Sequence, residues 1–380
     1  MGKVTNLFLE ETDIMSFSFY LPTKVFFGEG AVNNHGVFLK GRGRRALVVT
    51  GRHSATASGA MADIEALAQK LDITLATFNQ VPSNPTLEVV GRGVEMARSE
   101  GADFIIGIGG GSPLDTAKAI ALLATNKVPA TALYEAELPE PPLPVVAIPT
   151  TAGTGSEVTQ HAVFTLPEKK IKKGFSDDRC FPLAALVDPR YTASLPLEVT
   201  IDTALDALSH AIEGYLSRRA TPLSDTLALE AMGLFARHKE ALVRGELTPA
   251  ARYDLMYAST LGGMVIAQTR TTILHTLGYP LTFSHNIPHG RANGLLLAAY
   301  LEFVQPAEPV KVARILTVLG MTSLAEVQQM IRLLLPVPGI YPEKELERMA
   351  DLVTGASSMA WTARQGTRAD LVRILRQSLG

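Results

Sequence analysis

Residues 104–125, FIIGIGGGSPLDTAKAIALLAT, form the stretch that decides the fold. The first five residues are apolar and rich in isoleucine, which is typical of a buried strand. Three glycines follow, after which Ser112 suits the N-cap of a helix and Pro113 its first position. Residues 114–125 continue that helix. This succession of strand, glycine-rich turn and helix predicts one unit of a parallel sheet covered by helices.

The same alternation surrounds this unit throughout the first half of the chain. Further strands are predicted at residues 46–50, 73–78, 145–148 and 184–187. Apolar residues recur every three or four positions at residues 54–71 and 86–100, as in crossover helices. These elements predict an N-terminal α/β domain with a mostly parallel, Rossmann-like sheet.

Strand-like patterns stop near Pro196. Residues 177–196 contain three prolines, and the chain beyond them shows only helical spacing. We therefore predict an α/β dinucleotide-binding domain at residues 1–196 and an all-helical domain at residues 197–380. Helices of the second domain are predicted at residues 200–217, 223–243, 250–272, 290–303, 310–319, 324–335, 343–353 and 368–379.

Composition and charge exclude several classes of protein. With 35 basic and 37 acidic residues the net charge is −2, so no excess charge recruits nucleic acid or an anionic membrane. No stretch reaches the roughly 18 apolar residues of a membrane span, and Glu10, Glu11 and Asp13 interrupt the start of the chain. The one cysteine, Cys180, excludes an internal disulfide and suits a reducing compartment. We expect a soluble, cytoplasmic protein that binds small molecules.

Two polar loops are candidate nucleotide contacts. The glycines at 109–111 leave room for a close ligand, and the free N–H groups of a helix N-terminus attract a phosphate. The sequence matches neither G-x-G-x-x-G nor G-x-x-x-x-G-K-[ST], so a purely structural turn is the alternative. A second loop at 149–157, PTTAGTGSE, follows the next strand. Because the carboxyl ends of parallel strands share one edge of the sheet, both loops face one crevice, which favours a nucleotide site.

Four residues of the helical half form a candidate metal set. Asp206 and His210 lie four positions apart in a predicted helix and so share one face, and His275 and His289 follow, fourteen residues apart. One carboxylate and three imidazoles suit Fe or Zn. Taken singly, the Asp/His pair is more often an ordinary helix contact, and each later histidine a core or capping residue. Only a pattern that links all four indicates a metal site.

Ordered motifs along nearly the whole chain supply such a pattern. The sequence resembles the iron-containing (group III) alcohol dehydrogenases. The matching blocks are FYLPT at 19–23, FGEG at 27–30, PSNPT at 82–86, GGGSPLDTAK at 109–118, PTTAGTGSEVT at 149–159, DALSHAIEGY at 206–215 and IPHGRAN at 287–293. The resemblance implies a dehydroquinate synthase-like architecture, a nicotinamide cofactor, a divalent metal ion, and a homodimer or higher homo-oligomer.

The resemblance also implies roles for individual residues. The ligands of Fe²⁺, or alternatively Zn²⁺, would be Asp206, His210, His275 and His289. Cofactor contacts would come from Asn84, Gly110, Gly111, Ser112, Asp115, Thr150, Thr151, Thr154 and Lys172, with Lys173 as the neighbour that competes for the last place.

One departure from the family pattern concerns proton transfer. Many members carry a second histidine four residues after the third ligand, proposed there to relay the alcohol proton. In this chain the position is Tyr279, whose hydroxyl can pass a proton but differs from imidazole in its pKa. His285 is the alternative replacement.

A second departure concerns the choice of cofactor. NAD-preferring members place an aspartate after the strand at residues 46–50, where it accepts hydrogen bonds from the adenosine ribose. Here the position is Gly51, followed by Arg52 and Ser54, which can meet a phosphate. Gly51 therefore predicts NADP as the preferred cofactor, with NAD as the alternative.

These observations predict a metal-dependent alcohol dehydrogenase, or aldehyde reductase, that transfers a hydride between a primary alcohol and NADP(H). A polyol (glycerol-type) dehydrogenase and a maleylacetate-type reductase are the alternatives within the superfamily. A dehydroquinate-synthase-like lyase needs a basic pocket, and the helix at 200–217 offers only Arg218 and Arg219 beyond its end. A non-enzymatic metal-binding role leaves both polar loops without a purpose.

Overall fold

The computed structural model describes residues 16–169, 171–336, 339 and 341–379, which form eight strands and fourteen α-helices. The strands are Lys24–Phe27 (β1), Arg45–Thr50 (β2), Thr74–Phe78 (β3), Phe104–Gly109 (β4), Val145–Pro149 (β5), His161–Leu166 (β6), Ile171–Ser176 (β7) and Ala184–Val187 (β8). The helices of the first half are Ala31–His35 (α1), Ser54–Ala57 (α2), Ala60–Leu71 (α3), Leu87–Ser99 (α4) and Gly111–Thr125 (α5). Those of the second half are Leu197–Tyr215 (α6), Pro222–Arg244 (α7), Pro249–Thr269 (α8), Ile273–His285 (α9), His289–Val304 (α10), Pro309–Leu319 (α11), Leu324–Leu334 (α12), Glu343–Val353 (α13) and Arg368–Leu379 (α14).

Six of these strands form one parallel sheet in the order β1-β8-β5-β4-β2-β3. Along β2, Leu47 and Val49 pack into a core on one face of the sheet, whereas Ala46 and Val48 pack into a core on the other. Both faces are buried, which explains why the strands are continuous apolar runs rather than alternating ones. The predicted parallel sheet is confirmed, and each predicted strand lies within one residue of its observed bounds.

Three strands are not predicted from the sequence. β1 joins the edge of the sheet beside β8, and β6 and β7 form a separate antiparallel hairpin. The second strand of the hairpin contains Lys172, Lys173 and Gly174, which interrupt any apolar alternation. The hairpin brings Lys172, a predicted cofactor contact, to the cleft described below.

The second half of the described chain is helical, as predicted. Helix α6 is buried along most of its length, and α7, α8 and α10 pack around it. Helix α9 is not predicted, because Pro280 stands inside it. The proposed domain division at residue 196 lies between the end of β8 at Val187 and the start of α6 at Leu197. Within the residues that the structure describes, no helix is both long enough and apolar enough to cross a membrane.

Two details of the predicted helices are wrong. α5 begins at Gly111, and the carbonyl group of the extended Gly110 opens its hydrogen-bond ladder, so Ser112 lies in the first turn and is not the N-cap. The helix predicted at 54–71 is two helices, α2 and α3. They separate at Gly59, whose φ of +86° lies in the left-handed region that favours glycine.

The polar loop after β5 packs directly onto the helical half. Gly155 has a φ of +61°, and a Cβ atom at this position would lie 2.4 Å from the Cα atom of Gly263 in α8. Any side chain on either glycine would push the loop away from the helix. This close contact brings the carboxyl edge of the sheet against the helices that carry the candidate metal ligands.

Candidate active site

A cleft of about 650 Å³ lies where the turns after β4 and β5 meet α6, α9 and α10. The predicted site residues that line this cleft are Asn84, Gly111, Ser112, Asp115, Thr154, Lys172, Asp206, His210, His275, Tyr279 and His289. The cleft therefore brings the predicted cofactor turn and the predicted metal ligands together. The described lining of the cleft does not include four other predicted cofactor residues, which are Gly51, Gly110, Thr150 and Thr151.

Two histidine side chains meet at the floor of the cleft. Nε2 of His210 lies 2.9 Å from Nε2 of His275. The other ring nitrogen of His210, Nδ1, faces the carbonyl oxygen of Gly153 at 3.3 Å, so Nδ1 donates. Nδ1 of His275 likewise donates to the carboxylate of Glu213. In the neutral rings both Nε2 atoms would present lone pairs to each other, so a cation, either a proton on His275 or a metal ion, must lie between them.

The remaining predicted ligands surround these two nitrogens. Oδ1 of Asp206 lies 3.6 Å from Nε2 of His275 and 3.9 Å from Nε2 of His289. The ligand atoms of Asp206, His210 and His275 all lie within 4.8 Å of one another. Asn293 donates to Asp206 Oδ1 at 2.9 Å, which fixes the orientation of the carboxylate. The structure therefore brings three predicted ligands into one cluster and places His289 beside it.

The donor set fits a divalent metal ion. A tetrahedral ion bound at ~2.0–2.1 Å from two imidazole nitrogens holds them roughly 3.3 Å apart, which is close to the separation of the two Nε2 atoms. Burial lowers the pKa of His210 to about 4. Burial acts the same way on His275, but the carboxylates of Glu213 and Asp206 overcome it and raise the pKa of His275 to about 10. The cluster attracts positive charge to its centre.

Glu213 is a site residue that sequence reasoning missed. Besides His275 Nδ1, its carboxylate accepts hydrogen bonds from the backbone N–H and the hydroxyl group of Thr272, at 2.8 and 2.6 Å. Burial would raise the pKa of Glu213, but the charge of His275 and these hydrogen bonds hold the pKa below its usual range. The signal in the sequence is its position three residues after His210, on the buried side of α6.

The glycine turn after β4 packs against the threonine loop after β5. A Cβ atom on Gly110 would lie 3.0 Å from Oγ1 of Thr151, and one on Gly111 would lie 2.7 Å from Cγ2 of Thr154. Gly110 has a φ of −77°, so it does not require the left-handed conformation that glycine favours. The glycines permit close contact between the two loops and leave Gly111 and Thr154 on the wall of the cleft.

A buried polar network ties this wall to the hairpin. Nζ of Lys118 donates to Ser156 Oγ at 2.8 Å and to the carbonyl oxygen of His161 at 2.9 Å. Ser156 Oγ donates to Asp115 at 2.6 Å, and the backbone N–H of Val163 donates to the other carboxylate oxygen at 2.9 Å. Burial lowers the pKa of Lys118 to about 8 and raises the pKa of Asp115. Asp115 is thereby held at the cleft in one orientation.

The structure separates the two candidates for proton transfer. Tyr279 lines the cleft, with its ring stacked on His289 at 5.8 Å between centroids and Nζ of Lys172 at 5.9 Å from its centroid. His285 pairs with Glu345 at 2.9 Å and lies outside the described lining of the cleft. Tyr279 therefore stays the predicted replacement for the family's relay histidine, and His285 stays the alternative that does not line the cleft.

Three further residues that line the cleft are not predicted from the sequence. His161 of β6 shares a hydrogen bond with Ser176 at 3.0 Å, and burial lowers its pKa to about 4. Arg270, at the end of α8, and Trp361, after α13, line the same cleft. Their positions depend on contacts between distant parts of the chain, so no local pattern predicts them.

Comparison with known proteins agrees with this architecture. A family model described as iron-containing alcohol dehydrogenase matches residues 22–189, and the model of the C-terminal region of the Fe-containing alcohol dehydrogenase family matches residues 200–379. Alcohol dehydrogenase 4 of Saccharomyces cerevisiae is 35% identical over 282 residues, 73% of each chain. The NAD-dependent methanol dehydrogenase of Bacillus methanolicus is 34% identical over 307 residues, 80% of each chain.

A solved structure shows the same fold over almost the whole length. The iron-containing alcohol dehydrogenase of Thermotoga maritima superposes with a TM-score of 0.89 at 41% identity, covering 96% of this chain and 100% of its own. The class defined by fold and site is an oxidoreductase with a Rossmann-like sheet and a candidate metal centre. The chain belongs to the iron-containing alcohol dehydrogenase family, and it is an oxidoreductase of alcohols and aldehydes. This confirms the predicted family, and membership implies iron and a nicotinamide cofactor.

Proposed function

We propose that the protein exchanges a hydride between a primary alcohol, or its aldehyde, and NADP(H) in this cleft, with a metal ion held by Asp206, His210, His275 and His289. The observation that carries the proposal is the pair of Nε2 atoms, from His210 and His275, that face each other 2.9 Å apart beside the carboxylate of Asp206. The cofactor would bind across the turn that contains Gly111, opposite these ligands.

The residues of the chain hold this geometry before any substrate arrives. When bound, the metal ion acts as a Lewis acid toward the substrate oxygen, and the nicotinamide gives or takes the hydride. Glu213 and the carbonyl group of Gly153 fix the two histidine rings so that Nε2 points into the cleft. Asn293 fixes the carboxylate of Asp206. Because Asp206, His210 and His275 are buried, water competes little for the substrate position.

Tyr279 is the proposed site of proton transfer. Tyr279 occupies the family's relay position in the sequence. Its ring lies against His289 and lines the cleft, which brings its hydroxyl group to the site. A hydroxyl both donates and accepts, which allows it to pass the alcohol proton toward solvent without ionising itself.

The preference for NADP is the finer part of the proposal. Gly51 follows β2, where a carboxylate would otherwise repel a 2′-phosphate, and Arg52 beside it is exposed. Among the residues that the structure describes, the guanidinium group of Arg52 has no ion-pair partner. An unpaired cation at this point of the sheet supports a contact with the extra phosphate.

We further propose a cytoplasmic homodimer or larger homo-oligomer. Cys180 is buried and free, which suits a reducing compartment. β1 forms one edge of the sheet and is paired on one side only, and the exposed Phe17 and Tyr20 lie close to it in the sequence. Light scattering of the purified protein measures the oligomeric state, and a monomer at micromolar concentration would overturn that part of the proposal.

The test of the proposed function is a panel of primary alcohols and aldehydes followed at the absorbance of NAD(P)H. The protein is loaded anaerobically with Fe²⁺ or Zn²⁺, and both cofactors are compared. We expect metal-dependent turnover that accumulates the reduced or oxidised cofactor in proportion to product. A lyase would return its cofactor unchanged after each cycle, and this outcome, or turnover that survives complete removal of metal, would refute the proposal.

A further inference from the structure

Part of the wall of the cleft carries a positive charge. Arg270 lines it, together with the hydroxyl-bearing Thr276 and Ser358, which hydrogen-bond to each other at 2.6 Å, and the ring of Trp361. The guanidinium group of Arg219 lies 5.1 Å from the centroid of that ring. The candidate metal ligands and these residues line the same cleft, so a substrate held at the ligands shares it with Arg270.

No carboxylate neutralises Arg270 among the residues that the structure describes. Its side chain is exposed and takes part in none of the ion pairs or side-chain hydrogen bonds of the described chain. The carboxylates that line the cleft are Asp115, which is satisfied by Ser156 and Val163, and Asp206, which belongs to the metal cluster. The charge of Arg270 is therefore available to a ligand.

The backbone of Arg270 is strained. Its φ of +61° and ψ of 169° lie in a region that is essentially restricted to glycine. Hydrogen bonds fix the chain on both sides of Arg270. Ser217 donates to the carbonyl oxygen of Thr269 at 3.1 Å, and the backbone N–H of Thr272 donates to the carboxylate of Glu213 at 2.8 Å. A glycine would relieve this strain, so the arginine side chain is retained at a cost to folding, and such costs concentrate at functional positions.

We propose that Arg270 binds a terminal oxyanion of the substrate, so that the preferred substrates are short aldehydes and primary alcohols that carry a carboxylate at their other end. The inference rests on the proposed function, since it places the reacting carbon at the metal end of the cleft. A guanidinium group binds a carboxylate through two parallel, charge-assisted hydrogen bonds, and the hydroxyls of Thr276 and Ser358 line the same cleft. Specificity follows because an uncharged substrate leaves the cation without a partner.

The test compares 4-oxobutanoate with butanal, which differ only by a carboxylate in place of a methyl group. We expect the wild-type protein to favour 4-oxobutanoate in kcat/KM by at least about tenfold. Arg270→Gln should lower that ratio by a similar factor through KM, and Arg270→Lys should retain part of it. Arg218→Gln is the matched control, because Arg218 is a neighbouring exposed cation outside the described lining, and its ratio should stay at the wild-type value.

Arg270→Gly separates a substrate contact from a structural role. This variant should lose the same preference while its Tm stays equal to that of the wild type or rises, because glycine accepts the backbone conformation. A wild type that reduces butanal but shows no preference for 4-oxobutanoate overturns this inference alone, whereas reduction of neither aldehyde overturns the proposed function. An increased KM for the cofactor in Arg270→Gln with an unchanged substrate ratio would place Arg270 at the cofactor and also refute the inference.

Discussion

Glu213 accepts a hydrogen bond from Nδ1 of His275, and both side chains are buried. Because a proton is held on Nδ1, the neutral ring of His275 carries its lone pair on Nε2, which points toward His210. The carboxylate therefore fixes both the tautomer and the ring orientation of a proposed metal ligand, in the way that carboxylate–histidine–metal triads do.

The first prediction concerns this pair. Glu213→Gln keeps the size of the side chain but removes its charge, which weakens the hold on the His275 proton. We expect the affinity of the apoprotein for Zn²⁺ to fall by about 10–100-fold, measured by competition with a chromophoric chelator. Glu157→Gln is the matched control, since Glu157 is equally buried but bonds to Thr260 rather than to a ligand. Equal losses in both variants would contradict a specific role for Glu213.

The second prediction tests the ligands themselves. His210→Ala and His275→Ala should each lower metal content and activity together, because the loss of one of four ligands weakens the site and misplaces the substrate. Metal is measured by elemental analysis after gel filtration, and the fold by circular dichroism. A variant that kept full activity with one equivalent of metal would show that the ligand assignment is incorrect.

The sequence predicts those parts of the molecule that depend on local patterns. The sequence predicts the strand, glycine turn and helix around Gly110, because the strands of a buried parallel sheet are continuous apolar runs. The sequence also predicts that Asp206 and His210 lie side by side, because four residues make about one helical turn. Their connection with His275 comes from the family resemblance, since 65 residues separate the two histidines along the chain.

What the sequence does not predict depends on tertiary packing. The sequence does not predict helix α9, because local rules treat Pro280 as a helix breaker. In the structure, neighbouring helices enclose this helix. Glu213 resembles an ordinary helix glutamate until the structure shows that it is buried against His275. Arg270 and Trp361 line the same cleft although they lie far apart in the sequence, so no pattern along the chain relates them.

The third prediction concerns the pH dependence of stability. Burial lowers the pKa of Lys118 to about 8 in the folded protein, below its ordinary value near 10.4. Between these pH values the unfolded chain binds more protons at this position, so the free energy of unfolding rises with pH. Relative to Lys118→Met, the wild type should gain up to about 2 kcal/mol between pH 7.5 and 9.5 in urea denaturation. A constant difference would contradict the lowered pKa of Lys118.

The fourth prediction concerns the glycine turn. Gly110→Val should raise the KM for the cofactor by at least about tenfold, because the added side chain meets Thr151 and displaces the loops that we propose to bind phosphate. Backbone strain does not enter, since the φ of Gly110 is −77°. The double variant Gly110→Val/Thr151→Ala has room for the valine side chain inside the protein. If its KM for the cofactor is still higher than that of Thr151→Ala alone, the valine takes space that the pyrophosphate needs. Full recovery in the double variant would mean that the glycine serves loop packing only.

The last prediction concerns the choice of cofactor and rests on Gly51. A Cβ atom at this position would meet the carbonyl oxygen of Val81 at 3.4 Å and Oγ of Ser54 at 3.5 Å, which are ordinary contacts, so Gly51→Asp can be accommodated. The new carboxylate would accept from the ribose 2′-OH of NAD and repel the 2′-phosphate of NADP, and the ratio of kcat/KM for NADP to that for NAD should fall by at least about tenfold. Gly51→Asn separates these two effects, since the amide accepts the same hydrogen bond without the charge, and it should change the ratio much less because repulsion supplies most of the effect. Arg52→Gln should weaken NADP alone, through the loss of a charge-assisted bond to the phosphate. A wild type that favours NAD by tenfold, about 1.4 kcal/mol, would contradict the proposed preference.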